Sequence, residues 1–200
     1  FQFIELGEDG ARKAGGSRPA AWLELRNALQ EAERYARNPA AYTDGRDREA
    51  LVTRLDAAAL VSVVDGRVPL MVHVERASDI LNVLRLPKEF PEVRLILLGA
   101  REGWTVADQI AAAKVPCSII LLDSPGGKLE ARDVDWKSGA ALEKAGVPVG
   151  FHTDDPVTDA RLFLRSAAFA VRAGMSRAGA LRALEHAQGA VPRVGLGVGR

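Results

Sequence analysis

From residue 46 onward, short apolar runs alternate with amphipathic stretches, and this alternation constrains the fold more than any other feature of the chain. Each run is entered through glycine, proline or a charged turn, which is typical of β-α-β units in a parallel sheet. Four runs are predicted to be strands buried on both faces, at residues 68–74, 93–100, 115–122 and 147–153. The pattern therefore predicts an α/β protein with about four parallel strands.

The segments between and after these runs have helical periodicity, and they predict helices at 77–89, 105–114, 136–145, 159–173 and 176–187, with Ser176 as the N-cap of the last. Before residue 46 the pattern differs, because 18–38 is one long amphipathic stretch and 47–64 is a second, with no convincing strand between them. We therefore divide the chain into a helical lead-in (1–45), an α/β domain (46–190) and a glycine-rich, loosely ordered tail (191–200).

Length, charge and cysteine content restrict the class of partner. The 200 residues suit one domain, and a net charge of +1 with interspersed acids and bases offers no basic surface for nucleic acid or an anionic membrane. The single cysteine, Cys117, lies in an apolar run and is interpreted as a buried thiol, which makes the cytoplasm the expected compartment. No apolar run reaches the roughly 18 residues of a membrane span. A small molecule is the expected ligand.

Polar side chains stand where two of the predicted strands end. The run 147–153 leads into His152, Asp154 and Asp155, and the run 68–74 contains His73 next to its end. Binding side chains collect at the carboxyl ends of parallel strands, and imidazole with carboxylate is a common ligand set for divalent metals. A strand histidine taken alone is more often a buried structural residue, and Asp155 suits helix capping equally well. The pair of histidine-bearing strand ends nevertheless predicts a metal site, with Asp154 as the stronger carboxylate ligand.

The loop DSPGGKLE, residues 123–130, places glycines and a lysine after an apolar strand, as a phosphate-binding loop does. Its spacing is wrong for that role, because Gly126 and Gly127 are adjacent and Leu129 follows Lys128. A flavodoxin-like nucleotide-binding sheet would fit the strand count, but the chain lacks a glycine-rich first turn. The loop is interpreted as a strand-to-helix connection at the mouth of a cleft.

Four longer segments together resemble one protein family: HVERASDI, LLGAREGWTVADQIAAAKVP, LLDSPGGKLEARDVDW and KAGVPVGFHTDDPVTDARLFLRSAAFAVRAGMSRAGALRAL. In this order, over roughly residues 15–184, they are similar to the C-terminal half of an amidohydrolase-superfamily barrel of the imidazolonepropionase-like branch. The resemblance implies a partial (β/α)8 barrel. It also implies one or two divalent metals, zinc by default, that activate water to hydrolyse a C–N bond in an amide or cyclic amide.

The resemblance also implies roles for single residues. His73 matches the metal-binding histidine at the end of the family's strand five. Asp154 matches the aspartate at the end of strand eight, which binds metal and accepts the proton of the attacking water. His152, Asp155 and Arg76 are then expected to contact the substrate.

Two departures from the family lead to two alternative functions. Gly99 and Ala100 stand where many members carry a histidine at the end of strand six. The histidine pair of strand one and the lysine of strand four are expected to have no counterpart, because the chain is expected to begin after that half of the barrel.

The first alternative is a truncated metal-dependent amidohydrolase, weakly active or inactive alone, whose metal can be absent. The second is a non-catalytic α/β domain that serves as an interaction or structural module. In both, exposed strand edges predict association with a second copy or with a missing N-terminal half.

Overall fold

A five-stranded parallel sheet forms the centre of the computed structural model, which describes residues 1–44, 50–121, 129–131, 133–153 and 163–187. The strands are β1 (Gln2–Glu5), β2 (Leu70–Val74), β3 (Leu95–Gly99), β4 (Cys117–Ile119) and β5 (Val149–Phe151). They lie in the order β1-β2-β3-β4-β5, and every neighbouring pair is parallel. The four predicted strands are confirmed, each shorter than its apolar run.

The strand order distinguishes between the fold types that a parallel sheet allows. Each strand lies beside the one that precedes it in the chain, so the right-handed connections all run in one direction and their helices cover the same face. This is the winding of a (β/α) barrel. A doubly wound sheet instead reverses its order at a switch point, where nucleotides bind. The sheet is therefore of the partial-barrel type that was predicted, and the flavodoxin-like alternative is wrong.

Helices connect the strands. Between β1 and β2 lie α1 (Glu8–Lys13), α2 (Arg18–Arg37), α3 (Pro39–Thr43) and α4 (Arg54–Val64); α5 (Ala77–Val83) and α6 (Leu86–Glu89) precede β3. A 3-10 helix (Gly103–Val106) and α7 (Ala107–Ala112) precede β4, a second 3-10 helix (Leu129–Ala131) and α8 (Ser138–Ala145) precede β5, and α9 (Phe163–Arg172) and α10 (Arg177–Ala187) follow it. None of the helices in the described part of the chain combines the length and apolar character that a membrane span requires.

Side-chain caps explain where several helices begin. The Ser17 hydroxyl accepts the Ala20 N–H at 3.2 Å, and α2 starts directly after it. Ser176 accepts the Gly179 N–H at 2.9 Å, which confirms its predicted role as the N-cap of α10. Thr53 caps α4, so this helix begins later than the predicted 47–64, of which residues 47–49 lie outside the described ranges. In each case a hydroxyl satisfies a backbone donor that the first helical turn leaves without a partner.

The predicted helix 77–89 is divided in two in the structure. Pro87 cannot donate a backbone hydrogen bond to the residue four positions earlier, Val83, and α5 ends at that residue. A new helix, α6, then starts at Leu86 with Pro87 in its first turn, a position where proline is well tolerated. The apolar periodicity is continuous across the break, and for that reason the pattern predicts a single helix.

Strand β1 differs from the helical lead-in that the sequence predicts over residues 1–45. Hydrogen bonds hold both ends of β1 to β2 and to the residue just before it. The Gln2 N–H donates to the Pro69 carbonyl at 2.8 Å, and the Leu6 N–H donates to the His73 carbonyl at 3.0 Å. The register of the pair places Glu5 directly opposite His73. The division of the whole chain into lead-in, domain and tail stays a prediction, and residues 191–200 lie outside the described part.

The two faces of the sheet differ in character. One face belongs to the main apolar core, and its members are Leu70, Val72, Val74, Leu95, Leu97, Cys117, Ile119, Val149 and Phe151. On the opposite face, four neighbouring side chains form a row across β1 to β4. Glu5 is paired with His73, His73 with Leu98, and Leu98 with Ser118. Three of these four side chains are polar, and they lie near the carboxyl ends of the strands on the face that the connecting helices do not cover.

Cys117 lies among the buried apolar residues of β4. Burial raises the pKa of its thiol to about 12. The thiol therefore stays protonated at neutral pH, which agrees with its interpretation as a small core residue.

Candidate functional site

His73 is held between two carboxylates at the carboxyl ends of β1 and β2. Its Nδ1 lies 2.5 Å from Oε2 of Glu5, and its Nε2 lies 2.9 Å from Oε1 of Glu75. The two nitrogens are on different edges of the imidazole ring, so the carboxylates approach it from two sides. We call these three residues the His73 centre.

The charge of the His73 ring follows from these contacts. Burial by itself lowers the pKa of His73, but the hydrogen bonds and negative charges of Glu5 and Glu75 outweigh it and raise the pKa to about 10. At neutral pH both ring nitrogens therefore carry a proton, and each donates to a carboxylate. The His73 centre is an imidazolium ion between two acids.

Glu75 is fully buried, and the turn after β3 is built around it. Its Oε2 accepts the backbone N–H of Arg101 at 3.0 Å, and its Oε1 accepts from Nη1 of Arg101 at 2.7 Å. The turn passes through Gly99 and Ala100 with positive φ angles of 84° and 47°. A Cβ at Gly99 would lie 2.7 Å from Oε1 of Glu75, so only glycine leaves room for the carboxylate. Glu75 thus fills the space beside the position where the resemblance would place a histidine.

His152 lies at the same edge of the sheet, directly after β5, as predicted. Its backbone N–H donates to the Ile119 carbonyl at 3.1 Å, and its Nδ1 lies 2.9 Å from the hydroxyl oxygen of the buried Ser118. Ser118 therefore fixes the orientation of the half-buried His152 ring. Arg76 is the N-cap residue of α5, where its charge acts on Asp79. Asp154 and Asp155 lie outside the described residues, and their roles stay predictions.

A second polar cluster joins the connections that follow β1, β2 and β4. The buried Glu130 accepts the Glu8 N–H at 2.9 Å and Nη2 of Arg18 at 3.0 Å, and its own N–H donates to Oε1 of Glu8 at 3.1 Å. Nε of Arg18 also lies 3.2 Å from Oδ2 of Asp79. We call Glu8, Arg18, Asp79 and Glu130 the Arg18 cluster. It holds the segment before α8 against the start of α1.

The arrangement of these side chains can be compared with the ligand geometry that the predicted metal ion requires. A zinc site needs at least three protein ligands whose lone pairs meet at one point. Within the described ranges, no group of three or more histidine, cysteine, aspartate or glutamate side chains is arranged in this way. Glu5 and Glu75 approach different edges of the His73 ring, so the side chains of the His73 centre do not converge on one point. These residues alone therefore do not fit a resident metal ion.

Sequence reasoning did not single out four residues of the site: Glu5, Glu75, Ser118 and the cation Arg18. A signal existed for Glu75, because it stands two positions after His73 and alternation along an extended chain places both on one face. No such signal existed for Glu5, because its position depends on the pairing of β1 with β2.

The sheet and its polar edge define a class of protein. Strands wound in one direction, with polar side chains at their carboxyl ends, are characteristic of part of a (β/α) barrel whose site lies at that end. The structure is similar to the crystal structure of an amidohydrolase from Thermotoga maritima MSB8, with a TM-score of 0.76 and 25% sequence identity. The match covers 90% of this chain and 48% of the other, so the chain spans about half the length of that protein. This likeness supports an amidohydrolase-like fold. Neither a family model nor a curated protein matches the chain.

Proposed function

We propose that the chain is part of an amidohydrolase-type enzyme that hydrolyses a C–N bond in an amide or cyclic amide. The observation that carries the proposal is the polar edge of the sheet, where Glu5, His73, Ser118 and His152 lie near the carboxyl ends of the strands. The structural likeness to an amidohydrolase over 90% of the chain supports the same class of reaction. The imidazolonepropionase-like branch and the position in the C-terminal half of a barrel belong to this proposal.

In the proposed reaction, the side chains divide into a base and groups that bind the substrate. Asp154 accepts a proton as water attacks the carbonyl carbon, and the proton then passes to the departing nitrogen as the C–N bond breaks. His152, oriented by Ser118, contacts the substrate together with Asp155 and Arg76. The His73 centre contributes an imidazolium that is paired with two acids at the same edge.

Activity is expected to depend on Asp154. In an assay that follows amine release from a panel of N-acyl amino acids and cyclic amides, Asp154→Asn should lower the rate by about 100-fold or more, because it removes the base. Asp108→Asn is the matched control, since Asp108 is an exposed acid on α7 and its loss should leave the rate unchanged. Equal, measurable rates for the chain and for Asp154→Asn would contradict the proposal.

The divalent metal, with His73 and Asp154 as ligands and zinc as the default ion, stays a prediction. Close to one metal ion per purified chain by elemental analysis, lost in the double variant His73→Ala/Asp154→Ala, would support this site. Asp108→Ala serves as the control that keeps it. Absence of metal from the unmodified chain would favour the non-catalytic α/β module, because the described ligands do not complete a metal site by themselves.

Association is expected along β1, which is an edge strand of the sheet. A groove of about 710 Å³ runs beside it, and its lining includes the exposed Phe3 and Leu51. We propose that a strand of a second copy, or of the remainder of a barrel, pairs with this edge. Light scattering after size exclusion should show a species larger than one chain, and Phe3→Glu should reduce it. A clean monomer would count against this partner.

A further inference from the structure

A second cavity lies at the amino ends of the strands, opposite to the edge of the sheet that carries His73. It has a volume of about 330 Å³ and is lined by the residues that lead into β2, β3 and β4, among them Pro69, Arg94 and Pro116. Eight of the described residues that line it are aliphatic, and three of these are prolines, which have no backbone N–H to donate. The wall of the cavity therefore offers apolar contact and few hydrogen bonds.

The charged groups of this cavity are both positive. Arg94 and Lys114 line it, no acidic residue of the described part does, and neither cation forms an ion pair with an acid in that part of the chain. Nη2 of Arg94 donates to the Arg67 carbonyl at 2.7 Å, which uses one N–H of the guanidinium and leaves the others for a ligand or water. The cavity thus combines an aliphatic wall with two positive charges that lack a counter-ion.

Lys114 has a backbone conformation that is unfavourable for a lysine. Its φ angle is 55°, in the left-handed region, at the turn where α7 ends. Its N–H donates to the Ala111 carbonyl, and the Val115 N–H donates to the Ile110 carbonyl. Gly146 occupies the corresponding place in the turn after α8, with a φ angle of 86°.

The comparison of these two turns shows what position 114 requires. The chain reads AKVP at residues 113–116 and AGVP at 145–148, and the Gly146 and Val147 N–H groups donate in the same pattern, to the Glu143 and Leu142 carbonyls. Glycine adopts this conformation without strain, whereas a residue with a side chain does so at a cost. Strained residues of this kind cluster where a side chain serves a ligand.

We propose that this cavity binds an aliphatic monocarboxylate, whose carboxylate pairs with Arg94 and Lys114 and whose hydrocarbon chain packs on the proline-rich wall. Hydrogen bonds between two charged groups are among the strongest that a protein offers a carboxylate. No aromatic side chain of the described residues lines the cavity for a ring to stack on, which favours an aliphatic body. The volume is close to the roughly 300 Å³ at which pockets for drug-sized ligands begin, so the ligand is a short chain.

Three matched compounds test the proposal. The probe is hexanoate, hexanamide is the control that lacks the charge, and acetate is the control that lacks the hydrocarbon chain. In a ligand-observed NMR titration at constant ionic strength, hexanoate should bind saturably, and each control should bind about tenfold more weakly or worse. If hexanoate did not bind saturably, or if either control bound as tightly, the proposal would be overturned.

Protein variants locate the bound hexanoate. Arg94→Gln and Lys114→Gly should each weaken its binding by about tenfold, and Lys114→Gly is expected to fold because glycine suits this turn. Lys144→Gln is the matched control, since it removes one positive charge from an exposed lysine at the end of α8 and should leave the binding unchanged. Unchanged binding in Arg94→Gln or Lys114→Gly would contradict the proposal. So would loss of binding in His73→Gln with the fold intact by circular dichroism, because it would place hexanoate at the His73 centre.

Discussion

Replacement of Arg18 by methionine is expected to lower the free energy of unfolding by about 3 kcal/mol, because it leaves a buried carboxylate without its cation. Glu130 is the carboxylate concerned: its side chain is only 1% exposed, and Nη2 of Arg18 lies 3.0 Å from its Oε2. Arg18 also lies 3.7 Å from Glu8 and 3.2 Å from Asp79. Without the guanidinium, three acids would face one another.

Urea denaturation of three variants would measure this effect. Arg26→Met is the matched control, because the Arg26–Glu89 ion pair lies at the surface, with side chains that are 34% and 42% exposed, and its loss should cost less than about 1 kcal/mol. Adding Glu130→Gln to Arg18→Met should recover part of the stability, since it removes the buried charge. If Arg18→Met and Arg26→Met lowered the stability equally, the Arg18 cluster would have no special role.

Stability is also expected to fall as the pH rises from about 6.5 towards about 10, because His73 loses its positive charge and one of the two protons that it donates to Glu5 and Glu75. The pKa of His73 is higher in the folded chain than its ordinary value of 6.5. The contribution of His73 to the free energy of unfolding is therefore fully present below pH 6.5 and is lost as the pH passes through the pKa of the folded chain. Each unit of pKa difference corresponds to about 1.4 kcal/mol, so the total is on the order of a few kcal/mol.

The contribution of His73 can be isolated by comparison with His73→Gln, which keeps a hydrogen-bonding side chain but does not titrate. Urea denaturation across this pH range should show a steeper decline for the unmodified chain than for the variant. An NMR titration of the histidine rings should find one that stays protonated well above pH 7. Identical pH dependence in both chains would mean that the imidazolium between Glu5 and Glu75 does not stabilise the fold.

Local patterns were sufficient to predict most of the secondary structure. The apolar runs that contain β2 to β5 and the periodic stretch of α2 were recognisable because burial on a sheet or a helix imposes a fixed spacing on neighbouring residues. The predictions failed where the apolar pattern was too weak to show a strand, or where it continued across the end of a helix. β1 has four residues and little burial, and α5 and α6 share one apolar periodicity across their break.

By itself the sequence determined the α/β class and the strands that end near His73 and His152, since each depends on residues close together in the chain. Only the tertiary structure decided what surrounds those side chains. Glu5 reaches His73 across 68 positions of sequence, and Glu130 reaches Glu8 across 122. The protonation of His73 depends on the first of these contacts, because the field at a buried ring comes from the charges nearest in space, wherever they lie in the chain.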